Sequence, residues 1–141
     1  MSQQEFERYY LFRWKMLRQP WQQPFGSEQD GLEQHSVHRM IVNNEHQVIA
    51  VGRLHKVGER EAQIRYMAVD EHYQGQGLGT KILQALETQA SRQGVTNITL
   101  NARESAVNFY TNNGYRVQGF SHLLYNELRH ITMTKVLAVL K

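Results

Sequence analysis

Three glycines alternate with longer residues in the stretch HYQGQGLGTKILQAL (residues 72–86), at Gly75, Gly77 and Gly79. A glycine turn that opens a helix is a recurring anion site, because free backbone N–H groups and the positive end of the helix dipole point at the same spot. Glycine suits such a turn, since it adopts positive φ and since a Cβ would keep a phosphate away from the amides. The stretch therefore predicts a site for a phosphate-bearing ligand.

The spacing of these glycines excludes two common phosphate-binding loops. A dinucleotide-binding G-x-G-x-x-G loop that began at Gly75 would need glycine at position 80, which is Thr80. Such a loop also expects an acidic residue at the end of the next strand, where this chain has Leu100 and Asn101. A Walker A loop needs G-x-x-x-x-G-K-[ST], and GLGTK has neither that spacing nor that order. Another class of loop has to explain the pattern.

The pattern Gln74-x-x-Gly77-x-Gly79 resembles the signature [QR]-x-x-G-x-[GA] of the GNAT family of N-acetyltransferases. Upstream, IRYMAVDEHYQGQGLG (residues 64–79) resembles the apolar strand and short acidic turn that precede this loop in the family. Downstream, NARESAVNFYTNNGYRVQG (residues 101–119) resembles its second signature, A-x-x-F-Y-x-x-x-G-[FY]. Two spaced signatures are far more specific than one glycine loop.

A narrower resemblance involves the run ERYYLFRWKMLRQPWQQPFGSEQD (residues 7–30) together with IRYMAV (residues 64–69). Both segments are similar to the acetyltransferase-like domain that some bacterial proteins fuse to a thioesterase-like domain. We expect no second domain of that kind beside this one, so this resemblance gives weak guidance on the substrate.

The family resemblance implies acetyl coenzyme A as the donor. It places the pyrophosphate of the coenzyme on backbone amides of the loop, from Gln74, Gly75, Gln76 and Gly77 to Leu78, Gly79 and Thr80. It places the pantetheine arm and the thioester along the strand end, at Met67, Ala68 and Val69. The N–H of Val69 is the candidate donor to the thioester oxygen as charge develops there. The alternatives are a loop that holds only water and strand side chains that are plain core.

Tyr110 is the candidate general acid, because the family often places a tyrosine near the coenzyme sulfur, where its phenol can protonate the departing thiolate. The segment NFY is equally typical of aromatic core on a helix. Arg103 stands three residues before Ala106, where many relatives carry an asparagine that binds the pantetheine. Asn101 and Asn108 are nearby candidates for that contact, and Arg103 is a candidate for a coenzyme phosphate.

The general base that deprotonates an amine is the least determined role. Glu61, on the third predicted strand, is the candidate, and its alternative is an exposed, solvated charge. Arg65 on the same strand either anchors an anionic substrate or pairs with a structural acid. His35 and His38 have helix spacing but lack a third ligand in pattern, so we expect surface histidines and no metal site.

These residues need a scaffold that brings the strand end, the glycine loop and the NFY segment together. Hydrophobic periodicity predicts a helix, three strands, a helix, a strand, a helix and two strands. The predicted ranges are a helix at 5–17, strands at 37–43, 47–57 and 61–70, a helix from Leu78 that stops at Gly94, a strand at 96–102, a helix at 104–113, and strands at 115–122 and 130–137. This order predicts an α/β fold with one mixed central sheet that begins as an antiparallel meander and has flanking helices.

The resemblance adds two expectations about this sheet. One is a parallel pair of strands splayed around acyl coenzyme A. The other is a strand before the first helix, for which MSQQEFERYY leaves almost no room, so we expect the first strand to be missing or very short. A missing strand leaves a sheet edge exposed, which a second copy of the chain could cover, and a homodimer is therefore a hypothesis.

The composition of the chain limits the number of domains, the cellular compartment and the kinds of partner that we expect. The chain has 141 residues, enough for a core without disulfides, and we expect a single domain over 1–141. It has no cysteine, no secretory signal and no apolar run that could span a membrane, so we expect a cytoplasmic protein with no membrane role. Its 16 basic and 13 acidic residues are scattered, which does not indicate a nucleic-acid partner.

The sequence therefore predicts an acetyltransferase (EC 2.3.1.-) that transfers acetyl directly from acetyl coenzyme A to an amine of a small molecule or peptide. Two alternatives stay open, a non-catalytic module that binds or senses acyl coenzyme A and a scaffold whose glycine loop is vestigial. We expect acceptor specificity in residues 26–36 and 123–129, in loops that vary freely in such folds.

Overall fold

The computed structural model of the chain describes residues 1–124 and 128–137. Helix α1 begins with a capping box: the Ser2 hydroxyl accepts from the Glu5 N–H at 3.1 Å, and the Glu5 carboxylate accepts from the Ser2 N–H at 2.9 Å. The helix ends at Leu17, and Pro20 lies in the short 3-10 turn that follows. No strand precedes α1 among the described residues, as the sequence led us to expect.

Three α-helices and six strands are found in the described residues. Their bounds are α1 Gln3–Leu17, β1 Ser36–Val42, β2 Val48–Lys56, β3 Glu61–Val69, α2 Leu78–Arg92, β4 Asn97–Arg103, α3 Val107–Asn112, β5 Arg116–Leu124 and β6 Leu128–Val136. The helix predicted at 104–113 is divided into a 3-10 turn, Glu104–Ala106, and α3.

The six strands form one mixed sheet in the order β1-β2-β3-β4-β6-β5. The pair β3 and β4 is parallel, and the other neighbouring pairs are antiparallel. This arrangement confirms the predicted α/β fold with its meander and its parallel pair. Strand β1 lies at an edge of the sheet and pairs with β2 alone among the described strands. The edge is where a second chain would bind in a homodimer, which stays a hypothesis.

The parallel pair separates partway along its length. Residues of β3 and β4 pair from Glu61 with Asn97 to Ile64 with Leu100, and no further. Just beyond this point β3 contains a bulge, where Tyr66 has a φ of +57° and the pairing with β2 shifts between Val51 and Arg53. A bulge bends its strand and increases its twist, so β3 turns away from β4 and a cleft opens between the strands.

Helices cover both faces of the sheet. The apolar face of α2 packs on the main core through Ile82, Leu83 and Leu86, all nearly inaccessible to solvent. On the other face, α1 buries Tyr9 and Phe12 against Val51 of β2. None of the described helices is long and apolar enough to cross a lipid bilayer. The packing leaves the splayed end of β3 open on both sides, where the candidate site lies.

Candidate functional site

Two cavities meet at the splayed end of β3. The first, here called the loop cavity, has a volume of about 560 Å³ and is lined by the glycine loop, the start of α2 and the start of α3. The second, here called the strand cavity, has a volume of about 540 Å³ and lies between the end of α1 and strands β3 to β6. The residues that line both cavities are Met67, Ala68, Val69, Gln74, Ala106 and Tyr110. A ligand that follows the end of β3 would therefore reach from one cavity into the other.

The loop cavity is built from left-handed glycines and a helix N-terminus. Gly75 and Gly77 both have a φ of +79°, and Gly77 is the N-cap of α2. The N–H of Lys81 donates to the Gly77 carbonyl at 3.1 Å as the first bond of the helix. The N–H groups of Leu78, Gly79 and Thr80 therefore have no acceptor within the helix. These amides, with the positive end of the helix dipole, are able to bind an anion.

At Gly79, close packing against a neighbouring helix requires glycine. A Cβ at this position would lie 3.0 Å from Cζ of Phe109 on α3, closer than carbon atoms normally approach. The loop is thus packed directly against the helix that carries Tyr110. The two sequence signatures, some 30 residues apart, meet at this contact.

The Gln74 side chain ties the loop to the end of β3, a role that the sequence did not predict. Its Nε2 donates to the Val69 carbonyl at 3.2 Å. The intervening turn is held by Asp70, whose carboxylate accepts from the His72 N–H at 2.9 Å and whose N–H donates to the Ile49 carbonyl at 2.8 Å. Loop and strand end are therefore fixed relative to each other before any ligand binds.

Tyr110 is buried, with 7% of its surface exposed, yet it lines both cavities. Its ring packs edge-on against Phe109 and Tyr115, at centroid distances of 5.0 and 5.8 Å. Burial raises the pKa of the Tyr110 phenol above its ordinary value, so the group is protonated at neutral pH. The Tyr115 hydroxyl donates to Glu87 at 2.9 Å, whereas none of the hydrogen bonds among the described residues uses the Tyr110 hydroxyl. The protonated phenol of Tyr110 therefore lies at the junction of the two cavities.

Two histidines line the strand cavity, and sequence reasoning missed both. The rings of His122 on β5 and His130 on β6 stack at 4.6 Å, with 5° between their planes. Nδ1 of His130 lies 3.0 Å from the Leu128 carbonyl, which can only accept, so Nδ1 carries the proton and Nε2 has a free lone pair in the neutral ring. Burial, with the charges of His122, Arg103 and Arg18, lowers the pKa of His130. His130 is therefore neutral at neutral pH and able to accept a proton.

The strand cavity is also lined by arginines. Arg18 lies at the C-terminal end of α1, Arg65 on β3 and Arg103 at the end of β4. Around the ring of Tyr66, the guanidinium carbons of Arg13, Arg18, Arg53 and Arg65 lie 4.2 to 5.5 Å from the ring centroid. Stacking of guanidinium on an aromatic face keeps these cations close together.

Two carboxylates hold three of these arginines. Asp30 accepts from Arg53 at 2.7 Å and from Arg65 at 3.1 Å. Glu33 accepts from Arg13 at 2.9 Å and from Arg53 at 2.5 Å. Burial opposes ionisation of Asp30, but the hydrogen bonds from Arg53 and from the Leu32 N–H, together with the charges of Arg53 and Arg65, outweigh it and hold the pKa of this carboxyl well below its ordinary value. The network joins α1, the loop before β1 and the centre of the sheet.

The structure does not bring every predicted site residue to the cleft. Glu61 opens β3 opposite Asn97, about 25 Å of extended strand away from Val69, so it cannot act as a base on a group bound there. Asn108 and Gln76 are exposed and belong to the lining of neither cavity. The remaining predicted residues line one or both cavities.

Asn101 and Arg103 line the strand cavity, on the side away from the glycine loop. Asn101 is exposed, and its Oδ1 accepts from the Thr132 hydroxyl at 2.9 Å. Ser105, just beyond Arg103, lines the loop cavity and was not among the predicted contacts.

The prediction of surface histidines holds for His35, which is exposed, but it is wrong for His38. His38 is buried, with Nε2 2.8 Å from the Glu33 carbonyl and Nδ1 2.9 Å from the Tyr9 hydroxyl. Among the described residues, no group of three His, Cys, Asp or Glu side chains is placed to hold a metal ion.

Comparison with known proteins extends these observations. A family model described as Acetyltransferase (GNAT) family matches residues 5–115. A protein of Bacillus subtilis (strain 168) named as the uncharacterised N-acetyltransferase YjcF is 30% identical over 112 residues, which are 79% of each chain. The match thus extends well beyond the two signatures.

Solved structures share the fold. An acyl-CoA N-acyltransferase from Pseudomonas aeruginosa superposes with a TM-score of 0.81 at 22% identity, over 96% of this chain and 93% of that one. An aminoglycoside 6'-N-acetyltransferase, solved with coenzyme A, superposes with a TM-score of 0.73 at 15% identity, over 86% of this chain and 87% of that one. At these identities the likeness concerns the architecture alone.

Proposed function

The chain belongs to the acetyltransferase (GNAT) family, and from that premise we propose that it transfers an acetyl group directly from acetyl coenzyme A to an amine of a small molecule or peptide. The observation that carries the proposal is the meeting of the two cavities at the splayed end of β3, with Tyr110 in the lining of both. One cavity suits a phosphate-bearing donor and the other is free for an acceptor.

The loop cavity fits the coenzyme by its own chemistry. The amides of Leu78, Gly79 and Thr80 would hold the pyrophosphate, and the positive φ of Gly75 and Gly77 keeps that surface free of side chains. The end of β3, from Met67 to Val69, has lost its pairing with β4 and offers backbone groups to the pantetheine arm. When bound, acetyl coenzyme A supplies an activated acyl group with a thiol as the leaving group.

The strand cavity supplies the proton transfers that the reaction needs. His130 accepts a proton from the attacking amine at Nε2, since its Nδ1–H is already donated to the Leu128 carbonyl. Tyr110 donates its phenolic proton to the sulfur as the carbon–sulfur bond breaks and the carbon–nitrogen bond forms. One proton leaves the nitrogen and one reaches the sulfur, so the products are the N-acetyl amine and the free thiol. Solvent returns both residues to their starting forms.

The proposal is tested by thiol release from acetyl coenzyme A with a panel of amines, read with a thiol reagent. We expect thiol release that depends on the amine. We expect this release to be lost in the Gly77→Val variant, because valine does not readily adopt the positive φ of Gly77 and the loop would be distorted. Release that is equal with and without every amine would contradict transfer. In that case, thermal stabilisation by acetyl coenzyme A would favour the non-catalytic binding module, because a ligand that binds the native state raises its stability. No stabilisation would favour the scaffold.

A further inference from the structure

The charge of the strand cavity carries an inference about the acceptor. Its described lining includes three arginines, Arg18, Arg65 and Arg103, and two histidines, but no aspartate or glutamate. A cavity built for a plain amine or a polyamine would be expected to present carboxylates, because the ammonium form of such a substrate is cationic at neutral pH. The cavity instead carries the charge that an anionic group requires.

Among the described residues, the carboxylates that bind Arg65 and its neighbours do not fully neutralise those arginines. Asp30 and Glu33 are shared among Arg13, Arg53 and Arg65, three guanidiniums for two carboxylates. Arg65 keeps 40% of its side chain exposed despite its bond to Asp30. Its guanidinium therefore has donors available on the solvent side.

Arg18 is the arginine best placed to bind an anion. Its Nε donates to the Ser27 carbonyl at 3.1 Å and its Nη1 to the Leu17 carbonyl at 3.3 Å. These bonds fix the side chain but leave its charge uncompensated, and no ion pair of Arg18 occurs among the described residues. A guanidinium has five N–H donors, so most of them remain available to a carboxylate or phosphate.

We propose that the acceptor is an amine that also carries a carboxylate or phosphate group, which Arg18 and Arg65 bind while the amine faces His130 and the end of β3. This inference rests on the proposed acetyl transfer and deepens it by naming the class of acceptor. Bidentate binding of the anion would orient the substrate, and orientation is what a transfer between two bound groups requires.

The test compares amines that differ in one group. Leucine and leucinamide form the carboxylate pair, and glucosamine and glucosamine 6-phosphate form the phosphate pair. At neutral pH a larger fraction of leucinamide than of leucine has its amine in the nucleophilic free-base form, because the ammonium group of the amide has the lower pKa, so a preference for leucine cannot come from the supply of free amine. We expect kcat/KM to be at least about tenfold higher for the anionic member of one pair, and that pair identifies the anion.

Arg18→Gln and Arg65→Gln are each expected to reduce this ratio about tenfold, because the anionic member loses a guanidinium partner that the other member does not have. Arg92→Gln, an exposed arginine at the end of α2, is the matched control and should leave the ratio unchanged. Transfer without a preference for the anionic member in either pair would overturn this inference alone. So would an Arg18→Gln variant that slows both members of a pair equally. An absence of thiol release with every amine would overturn the proposed transfer, and the acceptor class with it.

Discussion

Tyr110 and Tyr115 are neighbours in one aromatic cluster, but their hydroxyl groups have different surroundings. The Tyr115 hydroxyl donates to Glu87 at 2.9 Å, on the side of α2. Tyr110 lies at the junction of the two cavities, and its phenol stays protonated because burial raises its pKa. A phenol in that state can donate a proton but cannot serve as a base at neutral pH.

Replacement of the Tyr110 hydroxyl should slow the chemical step. We expect Tyr110→Phe to lower kcat about 100-fold, because proton donation to the leaving sulfur is lost, with little change in the KM for acetyl coenzyme A. Steady-state kinetics with thiol detection measures both constants. Tyr115→Phe is the matched control and should retain kcat within about threefold. A Tyr110→Phe enzyme with unchanged turnover would remove the assignment.

His130 should set the acidic limit of activity. Its pKa lies below the ordinary histidine value of about 6.5, so the neutral form still predominates at pH 6.5 and is lost only as the pH falls through the lowered pKa. We expect kcat at saturating substrates to decline on the acidic side of the wild-type pH profile. His130→Gln should lower the plateau about 100-fold and abolish this decline. The exposed His35 is the control, and His35→Gln should reproduce the wild-type profile; a His130→Gln enzyme that does so as well would exclude His130 as the base.

At the scale of elements, the cleft depends on how closely α2 approaches the sheet. Gly52 on β2 lies opposite the bulge of β3, where Tyr66 and Met67 face it across the strand pair. A Cβ at Gly52 would lie 2.6 Å from Cγ2 of Ile82 on α2 and 2.6 Å from Sδ of Met67. The absence of a side chain at Gly52 therefore allows helix and bulge to pack on the same point of the strand.

Gly52→Ala should destabilise the fold through this contact. We expect the free energy of unfolding to fall by about 2 kcal/mol, because an added methyl group overpacks a dense interior. Urea unfolding followed by circular dichroism measures the change. At Gly31 an added Cβ meets no heavy atom within 4 Å, and Gly31→Ala should change stability by less than about 0.5 kcal/mol. Equal stability of the two variants would show that α2 can move away at no cost.

The sequence predicted the positions of the helices and strands well, but it predicted only in part how they come together to form the cleft. Alternating and helical periodicity located all six strands and three α-helices of the described residues to within a few positions, because each element buries one face. Periodicity does not reveal that β6 lies between β4 and β5, and that order is what brings His130 next to Arg103. It also gives no sign of the bulge at Tyr66, since a positive φ at a tyrosine is held by tertiary contacts.

Site residues that belong to a local motif were predictable, and those brought in from elsewhere were not. The glycine loop would bind a ligand through its own backbone, so the spacing of its residues is enough to predict it. Arg18 and His130 come from opposite ends of the chain and line one cavity through the packing of α1 and β6. Glu61 was chosen by strand membership alone, and its position at the far end of β3 shows why that signal is insufficient. Of the segment expected to govern acceptor specificity at 123–129, residues 125–127 lie outside the described residues.

At the scale of the whole molecule, buried ionisable groups connect elements that are distant in sequence. Arg13 of α1, Glu33 of the turn before β1 and Arg53 of β2 form one network, and Arg13 and Arg53 are fully buried. Removing one partner of such a network leaves a buried charge unpaired, so the arrangement requires all of its members. Three histidines are also buried: His38, His55 and His130.

Stability should fall as the pH drops below about 6.5. Burial is the first cause that lowers the pKa of His38, His55 and His130, and for His55 the neighbouring Arg53, whose Nη2 lies 3.1 Å from Nδ1, adds to it. These rings stay neutral in the folded chain at a pH where the unfolded chain binds protons, at an ordinary pKa of about 6.5. Because the unfolded state then binds more protons, the free energy of unfolding decreases as the pH falls through this window.

Urea unfolding at a series of pH values tests this expectation. The free energy of unfolding should be nearly constant from pH 8 to pH 7 and should decline from about pH 6.5 towards pH 5. Asp30 acts in a separate window: its folded pKa is lowered, so the stability that it contributes is lost only at pH values below its ordinary range near 4. His55→Gln should make the decline between pH 6.5 and 5 shallower, whereas His35→Gln, at an exposed site, should leave it unchanged. A constant free energy from pH 8 to pH 5 would mean that these rings take up protons within the intact fold, and that burial does not hold them neutral.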